Sequence, residues 1–326
     1  MEVLDRNVLI DLYERMVRIR FFEEKVQELH GLGKLPGFVH LYIGEEAVGV
    51  GACSVLRNDD HITSTHRGHG HIIAKGGDIA PMMAELFGRV DGYCRGKGGS
   101  MHIIDTDLGV LGANGIVGGG IPMATGAALA DVVLGRDGVT VCFFGDGAAN
   151  QGVLMEALNL SAIWSLPVIF LCEANFYTEW TPTTDITAGR IYERGKPFGV
   201  PSYEVDGNDV LEVRRIVGEA AERARQGEGP TIIEAITYRH SGHSEGESAF
   251  SGSYRDEDEI ESWKARDPII MFRNRLVEQF GVALDEIDEI DERERARVED
   301  AVEFAEGSPL PDPEEVLNHV FVEKGS

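Results

Sequence analysis

Cysteine and lysine are scarce in this chain of 326 residues. Its four cysteines, Cys53, Cys94, Cys142 and Cys172, never form a CxxC pair, which argues against a structural zinc site or a disulfide framework. Only 7 of its 30 basic residues are lysines, and 56 acidic residues bring the formal net charge to −26. Because so acidic a chain repels phosphate backbones and anionic lipid, we expect it to bind neither nucleic acid nor membranes.

The sequence predicts neither a secretion signal nor a membrane span. The first 16 residues carry charges throughout and contain no apolar signal core. The stretch 108–130 has 23 residues without a charged side chain, but seven are glycines, which favours buried loops and a closely packed helix start. We therefore expect a soluble, cytoplasmic protein.

Apolar and amphipathic segments alternate along the middle of the chain. Short apolar runs at 139–144, 167–171 and 231–237 predict buried parallel strands, and the helical spacing between them predicts βαβ units. The predicted fold class is α/β, with a mostly parallel sheet and helices on both faces. An amphipathic helical extension (about 1–35) and an acidic, mostly helical tail (about 256–326) complete it. Because no linker interrupts the pattern, we expect 1–326 to be a single domain.

The first hundred residues contain further predicted helices and one predicted loop. Helical spacing predicts a helix from Glu45 to Leu56, and Asp78 is a good N-cap for a short helix that contains MMAELF. Residues 57–77 are polar and rich in histidine, which is typical of a functional loop.

Polar residues follow two of the predicted strands directly. Gly145-Asp146-Gly147 follows the run 139–144, and Asn175 comes shortly after the run 167–171. Since parallel strands place their carboxyl ends at one sheet edge, these groups are expected to meet there. Glycines admit a phosphate close to the backbone, and carboxylate and amide oxygens suit magnesium. The residues alone thus predict a magnesium-diphosphate site.

Other sites for nucleotides and metals fit poorly. A dinucleotide fingerprint needs a third glycine where the chain has Asn150, and a Walker loop needs Ser or Thr where Gly98 follows Gly96-Lys97. A zinc site at His66, His69 and His71 is disfavoured by their spacing and by the lack of a nearby carboxylate in the sequence.

The motif is part of a longer resemblance. The signature of thiamine-diphosphate enzymes is similar to a pattern in this chain, in which GDG is followed by 27 residues and then by Asn175. The run GDGAANQGVLMEALNLSAIWSLPVIFLCEANFY, with FVHLYIGEEAVGVG, ITSTHRGHG, GYCRGKGGSMH and TYRHSGHS in the family's order, resembles the α subunit of the decarboxylating component of 2-oxo-acid dehydrogenase complexes. The resemblance covers about residues 10–270. STHRGHG, with His66, resembles acetoin dehydrogenase α chains more than pyruvate dehydrogenase α chains, which usually carry an aromatic residue at that position.

The resemblance implies thiamine diphosphate and Mg²⁺ as cofactors, and it implies three sets of site residues. The metal ligands it implies are Asp146, Asn175 and the backbone carbonyl of Tyr177. The cofactor-binding residues, besides those ligands, are His66, Arg67, Gly115, Val117, Gly145, Gly147, Ala148 and His243. Two histidines, His40 and His243, are implied to face the reacting carbonyl as acid, base or orienting groups.

The resemblance also implies the activity and its partners. The chain would cleave acetoin, or decarboxylate pyruvate or a branched-chain 2-oxo acid, and pass the acyl unit to a lipoyl group on a partner acyltransferase. A β subunit, in an α2β2 heterotetramer, would supply the Glu that activates the cofactor. Alternatives are the diphosphate half of a split transketolase and a binding protein without catalysis. Two departures from the family pattern, Thr178-Glu179-Trp180 and the acidic segment 244–255, leave the substrate open.

Overall fold

The central sheet contains five parallel strands. The computed structural model describes residues 4–247, 254–318 and 320. The strands of this sheet are β1 (His61–Thr63), β2 (Thr140–Gly145), β3 (Val168–Ala174), β6 (Ser202–Asp206) and β7 (Thr231–Ile236). Their order across the sheet is β1-β2-β3-β7-β6, so β2 and β3 are neighbours. A small antiparallel hairpin follows β3 and pairs β4 (Tyr177–Thr178) with β5 (Thr181–Pro182).

Helices connect and cover these strands. The described α-helices are α1 (Arg6–Gly31), α2 (Glu46–Cys53), α3 (His69–Lys75), α4 (Ile79–Leu86), α5 (Gly120–Leu134), α6 (Asp146–Ala149), α7 (Gly152–Trp164), α8 (Thr183–Ile186), α9 (Val210–Arg225), α10 (Glu257–Lys264), α11 (Pro268–Glu278) and α12 (Leu284–Gly307). Short 3₁₀ helices span Tyr192–Phe198 and Pro313–Leu317.

The sheet is covered on both faces, as the sequence predicts. Successive residues of β2 point to opposite sides, so Val141 and Phe143 join the core that α1, α2 and α9 cover. Cys142 and Phe144 join a second core beneath α5 and α7. Because both faces of β2 are buried, its sequence is continuously apolar rather than alternating.

The first and last long helices of the structure pack together. Arg18 of α1 forms an ion pair with the buried Glu294 of α12, with Nε and Oε2 2.6 Å apart. Apolar residues of both helices lie in one core. The N-terminal extension and the acidic tail are therefore packed against each other in the folded chain.

Of two predictions for the first hundred residues, one is confirmed and one is wrong. Asp78 caps α4 as predicted, and its side chain accepts a hydrogen bond from the backbone N of Ala80 at 2.9 Å. The prediction of a loop over 57–77 is wrong, because this segment contains β1 and α3. Both elements are too short to leave a periodic pattern, although every residue of α3 is buried.

None of the helices within the described ranges combines the length and apolar character needed to cross a membrane. The glycine-rich stretch 108–130 forms loops and then the first part of α5.

Candidate active site

All twelve predicted site residues line one cavity of about 240 Å³. It lies at the carboxyl ends of β2 and β3, where Gly145 is paired with Glu173 in the sheet register. The cavity is bounded by segments that are far apart in the sequence. The predicted residues that line it are His40, His66, Arg67, Gly115, Val117, Gly145, Asp146, Gly147, Ala148, Asn175, Tyr177 and His243. Their position is now established, whereas their individual roles stay predictions.

Asp146 is held at the first turn after β2. It is 2% exposed; its Oδ1 accepts from the backbone N of Gly147 at 2.8 Å, and its Oδ2 accepts from the Thr183 hydroxyl at 2.7 Å. Burial raises the pKa of this carboxyl. Gly147 has to be glycine, because a Cβ atom there would lie 2.6 Å from the Thr178 side chain. The turn is thus fixed, with an anionic group buried at the cavity wall.

Asn175 follows β3 and lines the same cavity. Its Nδ2 donates to Oε1 of Glu45 at 3.0 Å, and its Oδ1 lies 3.4 Å from the backbone N of Tyr177. The carbonyl oxygen of Tyr177 is 3.5 Å from Nη2 of Arg239. Asp146, Asn175 and Tyr177 therefore all line one cavity, and carboxylate, amide and carbonyl oxygens are the donor type that Mg²⁺ prefers.

Three histidines meet at another part of the wall. The ring centroids of His40, His66 and His243 are 4.7 to 5.1 Å apart. Burial, with neighbouring guanidinium groups, lowers the pKa of His40 to about 3 and of His243 to about 2, and holds that of His66 well below its usual range. These imidazoles are neutral at physiological pH.

The three rings are also close enough to share a transition-metal ion, since one nitrogen from each ring lies within 4.8 Å of the others. The buried guanidinium groups of Arg67 and Arg239 line the same cavity. Two positive charges disfavour a cation here and favour an anion such as a diphosphate.

Arg239 determines the tautomer of His243. Its Nη1 lies 3.1 Å from Nδ1 of His243, and a guanidinium group can only donate. Nδ1 therefore accepts, and the proton of the neutral ring is on Nε2. Arg239 also donates to the Glu179 carbonyl at 3.0 Å, so it ties the loop after β3 to the loop that carries His243.

Arg67 is held in a similar way. Its Nη1 donates to the carbonyl of Leu41 at 2.6 Å, and its Nη2 donates to the carbonyl of His243 at 3.1 Å. Its Nε lies 3.5 Å from Oε2 of Glu45, which is fully buried. Burial, with a contribution from the charge of Glu173, raises the pKa of Glu45 to about 7.

The other two histidines of the predicted loop do not join His66. His69 donates or accepts at both ring nitrogens, with Glu23 at 3.0 Å and with Ser100 at 2.9 Å. His71 has the equivalent contacts, with Glu173 at 3.0 Å and with Ser64 at 2.8 Å. Both are satisfied core residues, so His66, His69 and His71 do not form a zinc site.

A buried carboxylate organises the glycine-rich loop that approaches the cavity. The two oxygens of Glu85 accept from the backbone N atoms of four loop residues at 2.7 to 3.0 Å, namely Cys94, Gly96, Gly98 and Gly99. Met101, two residues further on, lines the cavity. Gly115 and Val117 line the cavity as well, and Val117 is 51% exposed.

The two departures from the family pattern meet each other. Nε1 of Trp180 donates to Oε2 of Glu247 at 3.3 Å. Glu247 also accepts from the backbone N atoms of His243 at 2.7 Å and Ser244 at 3.1 Å. Glu247 thus joins the acidic segment to the backbone of His243 and to Trp180, whereas 248–253 lie outside the described residues.

Sequence reasoning missed Glu45, Glu173 and Arg239 as cavity residues. The signal for Glu45 was available, because a charged pair in the otherwise apolar GEEAVGVG suggests a buried polar contact. Arg239 stands in TYRHSGHS, four residues before His243. Glu173 is the one charged residue of the otherwise apolar, buried strand β3, where a charge has to find a partner.

Comparison with known proteins identifies the family of the chain. The family model for the dehydrogenase E1 component matches residues 14–314. The chain is 50% identical to the alpha subunit of acetoin:2,6-dichlorophenolindophenol oxidoreductase of Bacillus subtilis, over 96% of this chain and 94% of that one. It is 46% identical to the subunit of the same name in Cupriavidus necator, over 98% and 96%. It is 41% identical to the pyruvate dehydrogenase E1 component subunit alpha of Rhizobium meliloti, over 95% and 89%.

The chain belongs to the dehydrogenase E1 component family. This confirms the resemblance seen in the sequence motifs, and the split-transketolase alternative gains no support. Membership of the family implies thiamine diphosphate as the cofactor, and relatives that are alpha subunits imply a β subunit as partner.

Proposed function

We propose that this chain is the α subunit of a thiamine-diphosphate- and Mg²⁺-dependent dehydrogenase component that cleaves acetoin and passes the acyl unit to a lipoyl group on a partner acyltransferase. The observation that carries the proposal is the single cavity at the ends of β2 and β3, which gathers oxygen ligands, neutral imidazoles and guanidinium groups. The acetoin-specific part rests on the relatives at 50% and 46% identity and on Glu179, discussed below.

The residues present fit a magnesium-bound diphosphate. Asp146, Asn175 and the Tyr177 carbonyl would hold the metal, since all three residues line the cavity and carry oxygen donors. Arg67 and His66, with the amides of Gly147 and Ala148, would bind the diphosphate oxygens. The Cβ of any other residue at 147 would collide with Thr178, so only glycine leaves the backbone free for such an approach.

Two histidines would act on the substrate. His243 donates from Nε2, because Arg239 occupies its Nδ1, so it would stabilise negative charge on the substrate oxygen as a neutral donor. His40 has a buried Nδ1 with no hydrogen-bond partner among the described residues, which leaves this atom for a polar ligand. When bound, thiamine diphosphate supplies the carbon nucleophile that breaks the bond next to the carbonyl.

The substrate preference is assigned from the loop after β3. Glu179 lines the cavity and has a left-handed backbone (φ 53°), and its carbonyl accepts from Arg239. A carboxylate at this position would repel the carboxylate of pyruvate or of a branched-chain 2-oxo acid but not neutral acetoin.

The β subunit is assigned to the apolar side of the cavity. Ile116 is 74% exposed next to Val117, and apolar side chains of α5 and α7 also lie open to solvent. Exposed apolar side chains of this size beside a site mark an interaction surface. The partner would cover the cavity mouth there and complete the cofactor site, in an α2β2 heterotetramer.

The test is turnover by the chain purified with its β subunit. Reduction of dichlorophenolindophenol is followed with acetoin, pyruvate and a branched-chain 2-oxo acid, in the presence of thiamine diphosphate and Mg²⁺. We expect activity with acetoin, and a higher relative rate with pyruvate in the Glu179→Gln variant. A preference of the unmodified complex for pyruvate would contradict the substrate assignment. Absence of turnover with all three substrates would contradict the proposed activity.

A further inference from the structure

The side-chain amide of Asn175 has two chemically opposite ends. Its Oδ1 attracts a cation, whereas its Nδ2 carries two hydrogens and repels one. The two ends have nearly the same size and shape, so packing alone does not distinguish them. A metal site that uses this residue therefore needs a neighbour that selects which end is free.

Glu45 is placed to make this selection. Its Oε1 accepts from Nδ2 of Asn175 at 3.0 Å; Glu45 is fully buried and Asn175 is 8% exposed. At the opposite end, Oδ1 of Asn175 lies near the backbone N of Tyr177, at 3.4 Å. In its ionised form, which the adjacent Arg67 guanidinium favours, Glu45 accepts hydrogen bonds but does not donate them. Rotating the amide by 180° would then set two oxygen acceptors against each other in a buried site.

Glu45 itself is held by the chain around it. It is the N-cap residue of α2, and it follows Gly44. A Cβ atom at position 44 would lie 2.3 Å from the Tyr238 carbonyl oxygen, so this turn packs tightly against the segment after β7. The second carboxylate oxygen of Glu45 faces Nε of Arg67 at 3.5 Å.

We infer that Glu45 is a positioning residue, which holds the Asn175 amide so that Oδ1 is the end available to the metal. This inference rests on the magnesium site of the proposed function. Glu45 is not itself assigned as a ligand, because one of its oxygens is occupied by Asn175 and the other faces Arg67.

The test measures Mn²⁺ binding by electron paramagnetic resonance, on the complex of this chain with its β subunit and with thiamine diphosphate present. Glu45→Met removes the acceptor at nearly constant volume, and Glu45→Gln keeps an acceptor oxygen. Loss of a partner that orients a metal ligand typically weakens metal binding about 10- to 100-fold. We expect a loss of at least about tenfold in Glu45→Met, and at most about threefold in Glu45→Gln.

The neighbouring Glu46 provides a matched control. It is equally buried, but it pairs with Nε of Arg20 at 2.6 Å and accepts from the backbone N of Gly44. Glu46→Met should lower the thermal midpoint and leave the Mn²⁺ affinity within about twofold. A loss as large as that of Glu45→Met would mean that disturbing α2, not the amide, is responsible.

If Glu45→Met does not fold, a double variant that exchanges the carboxylate and the amide between positions 45 and 175 tests the same inference. Asn175→Asp alone sets two carboxylates about 3 Å apart and should bind Mn²⁺ poorly. Adding Glu45→Gln lets the new amide donate to the new carboxylate, so we expect the double variant to recover at least about tenfold in affinity.

The outcomes are separable. Unchanged affinity in Glu45→Met, equal losses in Glu45→Met and Glu45→Gln, or no recovery in the double variant would overturn the positioning role. Normal Mn²⁺ affinity in Asp146→Ala would instead overturn the metal site of the proposed function. Loss in Asp146→Ala with no effect of Glu45→Met would leave that site standing and remove the inference alone.

Discussion

The ring of Tyr42 lies so close to the backbone of Gly70 that a Cβ atom there would be 2.0 Å from Cδ1 of Tyr42. Tyr42 is fully buried, its hydroxyl donates to Glu173, and its backbone N donates to Glu23 at 3.1 Å. The same two carboxylates bind the histidines on either side of Gly70. The missing side chain at position 70 thus lets one aromatic ring join two buried histidine–glutamate pairs.

Gly70→Ala is therefore expected to destabilise the protein. The added methyl group has to displace the fully buried Tyr42 ring, and overpacking of this kind costs about 1–3 kcal/mol. The thermal midpoint of the purified protein measures the effect. Gly218→Ala in α9 is the control, because its Cβ would meet Val55 at an ordinary 3.5 Å, and alanine favours the helix. Equal midpoints for the two variants would contradict the packing argument.

The Glu85 carboxylate is expected to order the glycine-rich loop. Glu85→Gln replaces one acceptor oxygen with an amide that donates, so two of the four backbone N atoms lose their partner. Each unsatisfied buried group costs about 1–3 kcal/mol. Hydrogen exchange of a peptide covering 94–101 should accelerate, while a peptide from α9 stays protected. Unchanged exchange in the loop would show that other contacts hold it.

Arg239 is expected to keep His243 neutral with its proton on Nε2. Its guanidinium contributes to the lowered pKa of His243, after burial and Arg67, and donates to Nδ1 at 3.1 Å. Arg239→Met should raise the pKa of His243 and allow the Nδ1–H tautomer. Nitrogen-15 NMR of labelled histidine reports both, and Arg239→Lys, which keeps a donor and a charge, is the control. A ring signal identical to wild type in Arg239→Met would refute this role.

His40 is expected to make folding pH-dependent in the cofactor-free protein. It is 7% exposed, and burial lowers its pKa from 6.5 to about 3. Between these values the unfolded chain binds more protons, so stability is complete above pH 6.5 and falls as the pH decreases. By pH 5 the loss is about 2 kcal/mol.

The check is the free energy of unfolding at pH 7.5 and pH 5, compared between wild type and His40→Asn. Asparagine does not titrate, so the variant should lose about 2 kcal/mol less than wild type over this interval. All other titrating groups are common to both proteins. The same pH dependence in both would mean that His40 is protonated in the folded state.

The sheet and the contents of the cavity could be predicted because both follow from local patterns. Continuous apolar runs marked β2, β3 and β7, and all three lie where the sequence places them. Parallel strands bring their carboxyl ends to one edge, so Asp146 and Asn175 had to approach each other. The remaining site residues were predicted from motifs that occur in this chain in the same order as in the family.

The contacts that hold those residues could not be predicted. His69 finds Glu23 at a separation of 46 residues, and His71 finds Glu173 at a separation of 102. Neither pairing produces a local sequence pattern. For this reason the segment that contains β1 and α3 was predicted to be a polar loop. The orienting contact from Glu45 to Asn175 spans 130 residues and was hidden for the same reason.

The most direct test of the account is calorimetric titration of thiamine diphosphate into the purified α–β complex, with and without Mg²⁺. We expect tight binding that depends on the metal, and at least a tenfold loss in Asp146→Ala, because that carboxylate is the only charged ligand among those assigned. Failure of the wild-type complex to bind the cofactor with Mg²⁺ present, or equal affinity in Asp146→Ala, would contradict it.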